Sequence, residues 1–590
     1  MSQVILAIHR GGKHDSAAAV LFDYEVKAAV ALERLTRKKG DGDDPQRCID
    51  EVLEIAGVTR RDVDVLATSR SEFPARYFTH FHGWRWIREQ FRTNVQGRRL
   101  RQVHREGLRA NTARVEEFFD VASFRQDFGL RPDATVYFYN HHRAHALPAL
   151  FYTDWDDALL VTADGGGDSV YYSHRHFSHG DLREIYGGDN YLTQWPPVDS
   201  LGLAYGAATT ALGFKMNRHE NKLTGLAAFG EPRFAEQIGS YFHVDDAGRV
   251  HSKFARDQGM GELLRGIAAK GTREDVAASM QKVLEDTMVL SIRRLMSSHP
   301  TRRLGVAGGV FANVRLNRVL SEQLPLEEIF IFPAMGDDGL PVGGALAYLL
   351  DRDGMTGWLK QRRRLKDVYF GRDHTSVVDA VLSSDPLIRS TADSHIAVAA
   401  QRLSKGEIGA IYSGRMEYGP RALGCRSIVA SPVRRKINEV LNTRLARSEF
   451  MPFAPVIAAD KADAVFDINA INAYAARFMT ITCDVRSTWR NRIAAVVHVD
   501  NSARPQVLER ETNPLYFEIL GKFEEETGIP VLINTSLNAH EEPIVNKPAE
   551  CKSALLENRV DFVITQQALY ERKGKDRPAH TGPLPVPDRK

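Results

Sequence analysis

The chain has 590 residues, which is more than one ordinary hydrophobic core accommodates, so we expect at least two large domains. Hydrophobic residues make up 43% and charged residues 26%, which is ordinary for a soluble globular protein, and a net charge of +3 is too small to indicate nucleic-acid binding. The four cysteines form no CxxC pair, so a disulfide framework or a zinc ribbon is not expected. With no signal peptide and no long apolar run, the sequence predicts a cytoplasmic protein.

Two stretches of the chain share one pattern of predicted strands. The first has strands at Val4 to His9, Ala17 to Phe22 and Val26 to Leu32. The pattern returns at residues 158–186, where a glycine-rich turn, Asp164 to Ser169, follows an apolar strand. Helical sequence follows each copy, which predicts a duplicated α/β domain. Duplicated hairpins with nucleotide turns at their mouths are typical of the actin, sugar-kinase and chaperone ATPase superfold.

Between the two copies, residues 77–119 are predicted to be mostly helical, rich in arginine and strongly aromatic at their start. One interpretation is an insertion that binds an acceptor. A helical hairpin whose rings pack on the body of the protein is more common, and we favour it for most of these rings. We interpret the arginines of residues 98–120 as solvated side chains of a surface helix and not as an RNA-binding arm.

Four residues in three separate segments have side chains that suit one metal ion. His141 and His145 are four positions apart, so on a helix they project from one face, one turn apart. Asp164, which is followed by glycine, and Asp337, which lies in a Gly-Asp-Asp-Gly segment, would complete a mixed nitrogen and oxygen ligand set. Such a set is typical of iron, manganese or zinc. The sequence therefore predicts a metal site formed by these four residues.

Glycine-rich turns after apolar strands are predicted to hold phosphate through exposed backbone N–H groups. One such turn follows Asp164, and another, at residues 304–313, fits the nucleotide-side loop of the second half of the domain. A metal ion beside phosphate-binding turns predicts chemistry on a phosphorylated or adenylylated intermediate. The candidate nucleotide-binding residues of these turns are Gly165, Gly166, Gly167, Gly308, Gly309 and Asn313.

The composition turns polar and basic at residues 352–366, which is consistent with a linker. We place the domain boundary close to residue 360, so the two domains are predicted to span residues 1–360 and 361–590. The C-terminal part then begins with a new pattern of predicted helices and strands.

Several arginines of the C-terminal part lie in turns framed by glycine and proline, beside apolar strands. Guanidinium groups bind phosphate in a bidentate manner and keep their charge, which suits a site for a triphosphate and a second anion. The alternative is that these arginines form salt bridges on the surface. Their position in turns framed by glycine and proline makes that alternative less favoured. The candidate anion-binding residues are Arg421, Arg426, Ser427, Arg447, Arg504, Asn534, Thr535 and Ser536.

These motifs together resemble the O-carbamoyltransferase family, which includes the nodulation-factor, cephalosporin and aminoglycoside carbamoyltransferases. The resemblance extends from Gly12–Ala18 to Asn534–Asn538, nearly the whole chain, and includes residues 33–39 and 222–232. Any single motif is weak, but this many motifs in the same order are specific.

The resemblance implies a fold and a two-step reaction. The N-terminal domain would be a duplicated actin-like (ASKHA) ATPase domain similar to the tRNA threonylcarbamoyl-transferase catalytic subunit, and the C-terminal domain would be a YrdC-like α/β domain. In the C-terminal domain, with Arg421 among the catalytic residues, carbamoyl phosphate and ATP with Mg²⁺ would give carbamoyl adenylate and pyrophosphate. In the N-terminal domain, the carbamoyl group would pass to a hydroxyl of a small natural product, as in antibiotic biosynthesis.

The resemblance also implies roles for individual residues. Iron(II), or another divalent cation, is the metal implied for the four predicted ligands. His14 matches a His-Asp pair of the family and is the candidate base, because an acceptor alcohol is a weak nucleophile. A structural turn histidine is the alternative interpretation of His14. Lys39 matches a family lysine and is expected to neutralise a phosphate.

Two positions depart from the family's pattern. Leu445 stands near the position of a family lysine, and Met451 stands where the family has an arginine. Arg444 or Arg447 is expected to supply the missing cation. If neither did, recognition of carbamoyl phosphate or the adenylation step would be impaired.

Other functions are less consistent with these motifs. A tRNA threonylcarbamoyl-type transferase normally lacks the fused C-terminal domain, and the near-neutral charge indicates no RNA-binding surface. A nucleotide-binding actin-like ATPase or sensor would leave the metal set and the arginine cluster without a purpose, and a sugar kinase would need neither. The sequence does not identify the acceptor. The expected partner is a small-molecule hydroxyl acceptor, with no nucleic acid and no membrane, in a monomer or homodimer.

Overall fold

The computed structural model describes residues 2–12, 14–70, 77, 119–189, 197–447 and 451–574. The predicted insertion at residues 77–119 lies outside the described residues except at its two ends. Within the described ranges, no helix is both long and apolar enough to cross a membrane. All four cysteines are buried and free, as the sequence predicts.

The first half of the N-terminal domain is a five-stranded sheet flanked by helices. Its strands are β1 (Val4–His9), β2 (Ala17–Phe22), β3 (Glu25–Ala31), β4 (Val65–Ser69) and β5 (Thr135–Tyr139), and its helices are α1 (Leu32–Thr36), α2 (Gln46–Ala56), α3 (Val121–Asp127) and α4 (His141–Phe151). The strand order is β3-β2-β1-β4-β5. The β1–β2 and β2–β3 pairs are antiparallel hairpins, whereas the β1–β4 and β4–β5 pairs are parallel and need crossovers.

The second half repeats this architecture. Its strands are β6 (Asp157–Gly167), β7 (Val170–Ser178), β8 (Asp181–Tyr186), β11 (Arg303–Ala307) and β12 (Glu328–Ile331), with β9 (Phe242–Val244) and β10 (Val250–Ser252) in a separate two-stranded sheet. Its helices are α5 (Leu201–Ala211), α6 (Glu220–Leu226), α7 (Ala235–Gly239), α8 (Asp257–Ala268), α9 (Arg273–Ser298), α10 (Val314–Gln323) and α11 (Leu340–Leu359).

The two sheets have the same connectivity. Read from the hairpin edge, the second sheet runs β8-β7-β6-β11-β12, so three antiparallel strands are again followed by two parallel ones. A three-stranded meander followed by two crossover strands, present twice, is the duplicated actin-like fold. The predicted duplication is confirmed.

One detail of the second hairpin differs from the sequence-based prediction. Residues 164–169 were expected to form one glycine-rich turn, but β6 continues to Gly167, which pairs with Val170. The turn itself has only two residues, Asp168 and Ser169, with φ of 46° and 70°. Positive φ at both central positions matches the right-handed twist of the flanking strands, which makes a short turn sufficient.

Helix α4 is the central helix of the N-terminal domain. Every residue of α4 is buried except Arg143. The helix packs against α11 and against strands β6 and β11 of the second sheet, although it follows β5 of the first. Helix α4 therefore lies between the two halves, and the side chains at its start face the cleft.

The C-terminal domain is built on a mixed eight-stranded sheet. Its strands are β13 (Ile388–Thr391), β14 (Gly409–Tyr412), β15 (Arg426–Ala430), β16 (Ala454–Ala458), β19 (Gln506–Leu508), β20 (Val531–Ser536), β21 (Phe562–Ile564) and β22 (Leu569–Arg572), with β17 (Cys483–Asp484) and β18 (Ser502–Ala503) as a separate pair. Its helices are α12 (Thr375–Ser383), α13 (His395–Ser404), α14 (Lys436–Arg444), α15 (Ala462–Val465), α16 (Ala473–Ala476), α17 (Pro514–Thr527) and α18 (Pro548–Leu556).

The strand order of this sheet is β13-β22-β21-β14-β15-β20-β16-β19, and it contains both parallel and antiparallel pairs. The expected fold class, an actin-like domain joined to a second α/β domain, is confirmed, and the likeness of the second domain to YrdC stays a prediction.

A cluster of charges joins the two domains. Glu541, in the loop between β20 and α18, accepts a hydrogen bond from His219 Nε2 at 2.6 Å. Lys215 Nζ and Arg218 Nη1 lie 3.3 and 3.5 Å from the same carboxylate. His540 lies beside them, and His219, His540 and Glu541 could hold a metal ion by distance alone. Because two cations already neutralise the one carboxylate, we interpret the cluster as an interdomain salt bridge.

Candidate functional site

A β-bulge positions Asp164. The register between β6 and β7 shifts between Ala163 and Gly167, which leaves the intervening residues out of the ladder. Bulges often re-aim a side chain beside a functional site. The backbone N–H of Gly165 donates to Asp164 Oδ1 at 2.5 Å, and that of Gly309 donates to Oδ2 at 3.0 Å. The carboxylate is therefore fixed by both glycine-rich segments that the sequence identified.

The start of α4 positions the two histidines. Asn140 caps the helix by accepting a hydrogen bond from the backbone N–H of Arg143 at 2.9 Å. Asp168 accepts another from the backbone N–H of His141 at 2.7 Å. His141 Nε2 and His145 Nε2 lie 3.2 Å apart, as the four-residue spacing predicts.

Gly167 is required beside this helix. A Cβ at Gly167 would lie 2.2 Å from the ring of His141. Real Cβ atoms do not approach that closely, so any larger residue would push the ring or the strand aside.

The structure brings all four predicted metal ligands together. His145 Nε2 lies 3.2 Å from Asp164 Oδ2 and 3.3 Å from Asp337 Oδ1. His141 Nε2 lies 3.6 Å from the same oxygen of Asp337. The four ligand atoms are within 4.8 Å of one another, and both histidines are buried. Distances of this size are those between ligand atoms that share one cation with bonds of about 2.0–2.2 Å.

The electrostatics of the cluster also suit a cation. Burial opposes a charge on His145, but hydrogen bonds to Asp164 and Asp337 outweigh it and raise its pKa to about 9. Two buried carboxylates thus stabilise a positive charge at this position. Within the described part of the chain, Asp337 Oδ1 has no hydrogen bond of good geometry. The donor set therefore fits a divalent cation with nitrogen and oxygen ligands.

His14 forms a pair with its neighbour at the mouth of the first hairpin. His14 Nδ1 and Asp15 Oδ2 are 3.0 Å apart. This hydrogen bond outweighs burial and, with the charges of Asp15, Asp337 and Asp164, raises the pKa of His14 to about 9. Lys39 is half-buried. Its neighbour Gly40 is close to the pair, since a Cβ at Gly40 would lie 3.7 Å from Asp15 Oδ1.

The second glycine turn approaches the first closely. Gly308 has φ of 100°, and a Cβ there would lie 2.2 Å from the carbonyl oxygen of Ala163. The side chain of Asn313 is engaged elsewhere: Oδ1 accepts from the backbone N–H of Leu316 at the start of α10, and Nδ2 donates to Gln281 at 2.8 Å. The Asn313 amide is thus engaged within the protein, so a phosphate at this turn would be held by backbone N–H groups.

Arg447 meets the Asn-Thr-Ser segment at the end of β20. Its guanidinium donates to Thr535 Oγ1 at 2.9 Å, to Ser536 Oγ at 3.1 Å and to Asn538 Oδ1 at 2.6 Å. Arg444 instead pairs with Asp561 at 3.0 Å. Of the two arginines that could replace the family lysine, Arg447 is the one that lies among the other predicted anion-binding residues.

Three residues predicted to bind phosphate have structural roles instead. Arg426 is fully buried, and its guanidinium donates to the carbonyl oxygens of Ser413, Cys425 and Gly414 while it lies over the ring of Tyr412. This corrects the sequence-based assignment, because no face of the guanidinium is open to an anion.

The assignments of Ser427 and Asn534 as phosphate-binding residues are also corrected, because both side chains are engaged within the protein. Ser427 Oγ accepts from the backbone N–H of Gly424 at 3.0 Å, and Asn534 Nδ2 donates to the carbonyl of Ala422 and to Gln506. Both side chains are buried and brace the turn that begins at Arg421.

Arg421 and Arg504 remain at the cleft side of the C-terminal domain, and each is half-buried. Arg421 Nη2 donates to the carbonyl oxygen of Ala312 at 3.3 Å, which is part of the second glycine turn of the N-terminal domain. Arg504 lies between β18 and β19. Arg421 thus connects the predicted adenylation site to the nucleotide-side loop of the other domain.

Sequence reasoning missed two residues that shape these sites. Glu417 is fully buried, and one of its oxygens accepts from the backbone N–H groups of Leu423, Cys425 and Arg426, at 2.9, 2.7 and 3.1 Å. His9 is buried at the end of β1, with Nε2 3.7 Å from Asp337 Oδ2. The sequence offered two signals for these residues. One was a glutamate inside a turn framed by glycine and proline, and the other was a histidine at the end of a central apolar strand.

The fold and the cluster define a protein with a duplicated actin-like domain, four residues that could hold one cation, and a second α/β domain. A family model described as carbamoyltransferase N-terminus matches residues 5–346, and one described as carbamoyltransferase C-terminus matches residues 400–572. The chain belongs to the carbamoyltransferase family, so it is a transferase, and the resemblance of its motifs is confirmed. The actin-like fold and the family together imply ATP with Mg²⁺.

Individual relatives align over most of their length. Nodulation protein NolNO of Sinorhizobium fredii is 31% identical over 585 residues, which cover 95% of this chain and 79% of that protein. An uncharacterised protein of Methanocaldococcus jannaschii is 31% identical over 478 residues, 76% of this chain and 75% of that protein. Component A of (R)-2-hydroxyglutaryl-CoA dehydratase from Acidaminococcus fermentans, a solved structure, is 13% identical with a TM-score of 0.31, over 61% of this chain and 99% of that chain.

Proposed function

We propose that this protein is an ATP-dependent O-carbamoyltransferase with two sites. The C-terminal domain makes carbamoyl adenylate from carbamoyl phosphate and ATP, and the N-terminal domain transfers the carbamoyl group to a hydroxyl of a small-molecule natural product. We place the boundary between the two activities close to residue 360. The observation that carries the proposal is the convergence of His141, His145, Asp164 and Asp337 in the cleft of an actin-like domain.

The adenylation step has a chemical reason. The nitrogen of a carbamoyl group donates into its carbonyl, which makes the carbon a poor electrophile, and AMP is a leaving group that restores its reactivity. Atom balance requires that carbamoyl phosphate loses orthophosphate to water while the carbamate oxygen displaces pyrophosphate from ATP. Arg447, Arg421 and Arg504 are the cations that this chain offers to those anions. Arg447 is held in place by Thr535 and Ser536.

The transfer step needs a base for the acceptor alcohol. His14 is the candidate, because Asp15 holds its Nδ1–H and Nε2 accepts the proton in the neutral imidazole, which a pKa of about 9 makes the minor form at pH 7. Lys39 is placed to neutralise a phosphate beside this pair. A divalent cation on the four ligands, which we propose to be iron(II), would stabilise the negative charge that develops on the departing AMP.

The groove between the two domains supports the proposed acceptor class. Its lining includes Phe229 and Val499, which are 54% and 49% exposed, together with Met451, Pro452 and Ala228. An exposed apolar lining beside the cleft suits a partly apolar natural product. We propose a small-molecule acceptor, no nucleic acid, and a monomer or homodimer.

The proposal is tested by incubating the protein with ATP, Mg²⁺ and carbamoyl phosphate and by following pyrophosphate and orthophosphate. We expect both products without any acceptor, and AMP release to depend on an added hydroxyl compound. A second arm omits carbamoyl phosphate as the control for simple ATP hydrolysis. Pyrophosphate formation that does not depend on carbamoyl phosphate would overturn the adenylation step.

A further inference from the structure

His9 is a buried histidine with unused hydrogen-bonding capacity. It is 3% exposed, and among the described residues neither ring nitrogen has a hydrogen-bond partner. A buried polar group without a partner is destabilising, so such a group is uncommon without a reason. Strand β1 holds His9 firmly, because His9 pairs with Ala17 of β2 and its neighbour Ile8 pairs with Thr68 of β4.

The two oxygens of Asp337 face different groups. Oδ1 faces His145 and His141 at 3.3 and 3.6 Å, whereas Oδ2 faces His9 Nε2 at 3.7 Å. An oxygen that binds the same cation as the two histidines must be the one that lies between them, which is Oδ1. Oδ2 is then the outer oxygen, and His9 is the group aimed at it.

We propose that His9 is a positioning residue for the metal centre. When the cation is bound, Nε2–H of His9 donates to Asp337 Oδ2 and holds the carboxylate so that it binds through Oδ1 alone. The inference rests on the proposed cation site. Carboxylates that bind metals are themselves hydrogen-bonded, and such outer partners set ligand orientation. His9 is not itself a ligand, because the four atoms that lie within 4.8 Å of one another do not include one of its nitrogens.

The test measures cation binding and not turnover. Wild-type apoprotein and the variants His9→Phe and His9→Gln are titrated anaerobically with Fe²⁺, and separately with Co²⁺, whose visible absorption reports the ligand geometry. Phenylalanine fills the same volume without a donor, whereas the glutamine amide restores an N–H. His174→Ala is the matched control, since His174 is also buried in this domain, on β7, away from the cluster.

We expect His9→Phe to bind Fe²⁺ about 10–100-fold more weakly than wild type, with a changed Co²⁺ spectrum, because loss of an outer partner has that effect on affinity. His9→Gln should regain most of the affinity and the wild-type spectrum, and His174→Ala should keep both. If wild type binds no cation, the proposed metal centre itself is wrong. If wild type binds and His9→Phe matches it, or if His9→Gln stays as weak as His9→Phe, the positioning role is wrong. Melting temperatures of the apoproteins separate misfolding from loss of binding.

Discussion

Residue types in the sequence located the predicted metal site of the N-terminal domain better than the predicted anion-binding site of the C-terminal domain. In the N-terminal domain, all four predicted metal ligands converge within 4.8 Å. In the C-terminal domain, Arg447 meets Thr535 and Ser536, but Arg426 is enclosed by backbone carbonyls. A buried cluster of imidazoles and carboxylates has few ways to be satisfied other than by a cation or a proton. A guanidinium has five donors and many possible acceptors, so its presence in a motif says less about its partner.

Substitution of a metal ligand should have the largest effect and would separate the two sites. We expect His141→Ala to reduce carbamoyl transfer by about 1,000-fold or more, because a cation at a leaving phosphate is worth several kcal/mol. Pyrophosphate formation in the other domain should continue at the wild-type rate. The control is His243→Ala, an exposed histidine on β9. Loss of both activities in His141→Ala would contradict the division into two sites.

The arginine comparison can be sharpened with two residues that lie three positions apart, Arg444 at the end of α14 and Arg447 beyond it. Arg447→Ala should lower the rate of pyrophosphate formation by about 100-fold, because charged hydrogen bonds to a reacting phosphate are worth roughly 3 kcal/mol. Arg444→Ala is the matched control: it removes the cation beside Asp561, which is 5% exposed, and should destabilise the fold without lowering the rate of the folded enzyme. The reverse pattern of rates would assign the anion-binding role to Arg444.

A smaller perturbation tests whether the histidine pair depends on its surroundings. Gly167→Ala places a Cβ 2.2 Å from the ring of His141, so the ring must move. We expect cation affinity to fall about tenfold, with secondary structure unchanged. Gly266→Ala serves as the control, because no atom lies within 4 Å of a Cβ at that position of α8. Equal affinities for the two variants would mean that the site tolerates displacement of His141.

The interdomain salt bridge should have the smallest effect and a defined pH dependence. Burial opposes ionisation of Glu541, but hydrogen bonds from His219 and Lys215 outweigh it and lower its pKa to about 2. A lowered folded-state pKa stabilises the fold above the unfolded value of 4.5, and this contribution disappears as the pH falls from 4.5 towards 2.

Glu541→Gln should therefore cost about 1 kcal/mol or less at pH 7, because the carboxylate is 29% exposed. The difference in melting temperature between wild type and variant should shrink below pH 4.5. Glu236→Gln, at an exposed position of α7, is the control for the loss of one negative charge. A difference that is the same at pH 7 and pH 3.5 would mean that the carboxylate charge is not the cause.

The sequence predicted those features that depend on local patterns. Continuous apolar runs separated by the turn at residues 11–16 placed β1 and β2 at their exact limits, because apolar runs and turn residues are local properties. The i, i+4 spacing of His141 and His145 predicted their common face for the same reason. The extension of β6 to Gly167 was not predicted, since it depends on pairing with β7 across a bulge.

Residues whose roles depend on distant partners could not be assigned from the sequence. Arg426 could not be recognised as structural, because its acceptors Ser413 and Gly414 are brought to it by the β14–β15 pairing. His9 could not be connected to Asp337, which is more than three hundred positions away along the chain. In both cases the informative quantity is a contact made by tertiary packing, which no local pattern encodes.

The hydrogen bond from Arg421 to the carbonyl of Ala312 limits how the two domains could be exchanged. The guanidinium of one domain donates to a backbone carbonyl in a loop of the other, so this contact exists only when both are present. Splitting the chain near residue 360, or grafting either half onto a relative, would remove the contact unless the matching arginine and loop were kept together. An exchange of domains between relatives therefore has to conserve this pair.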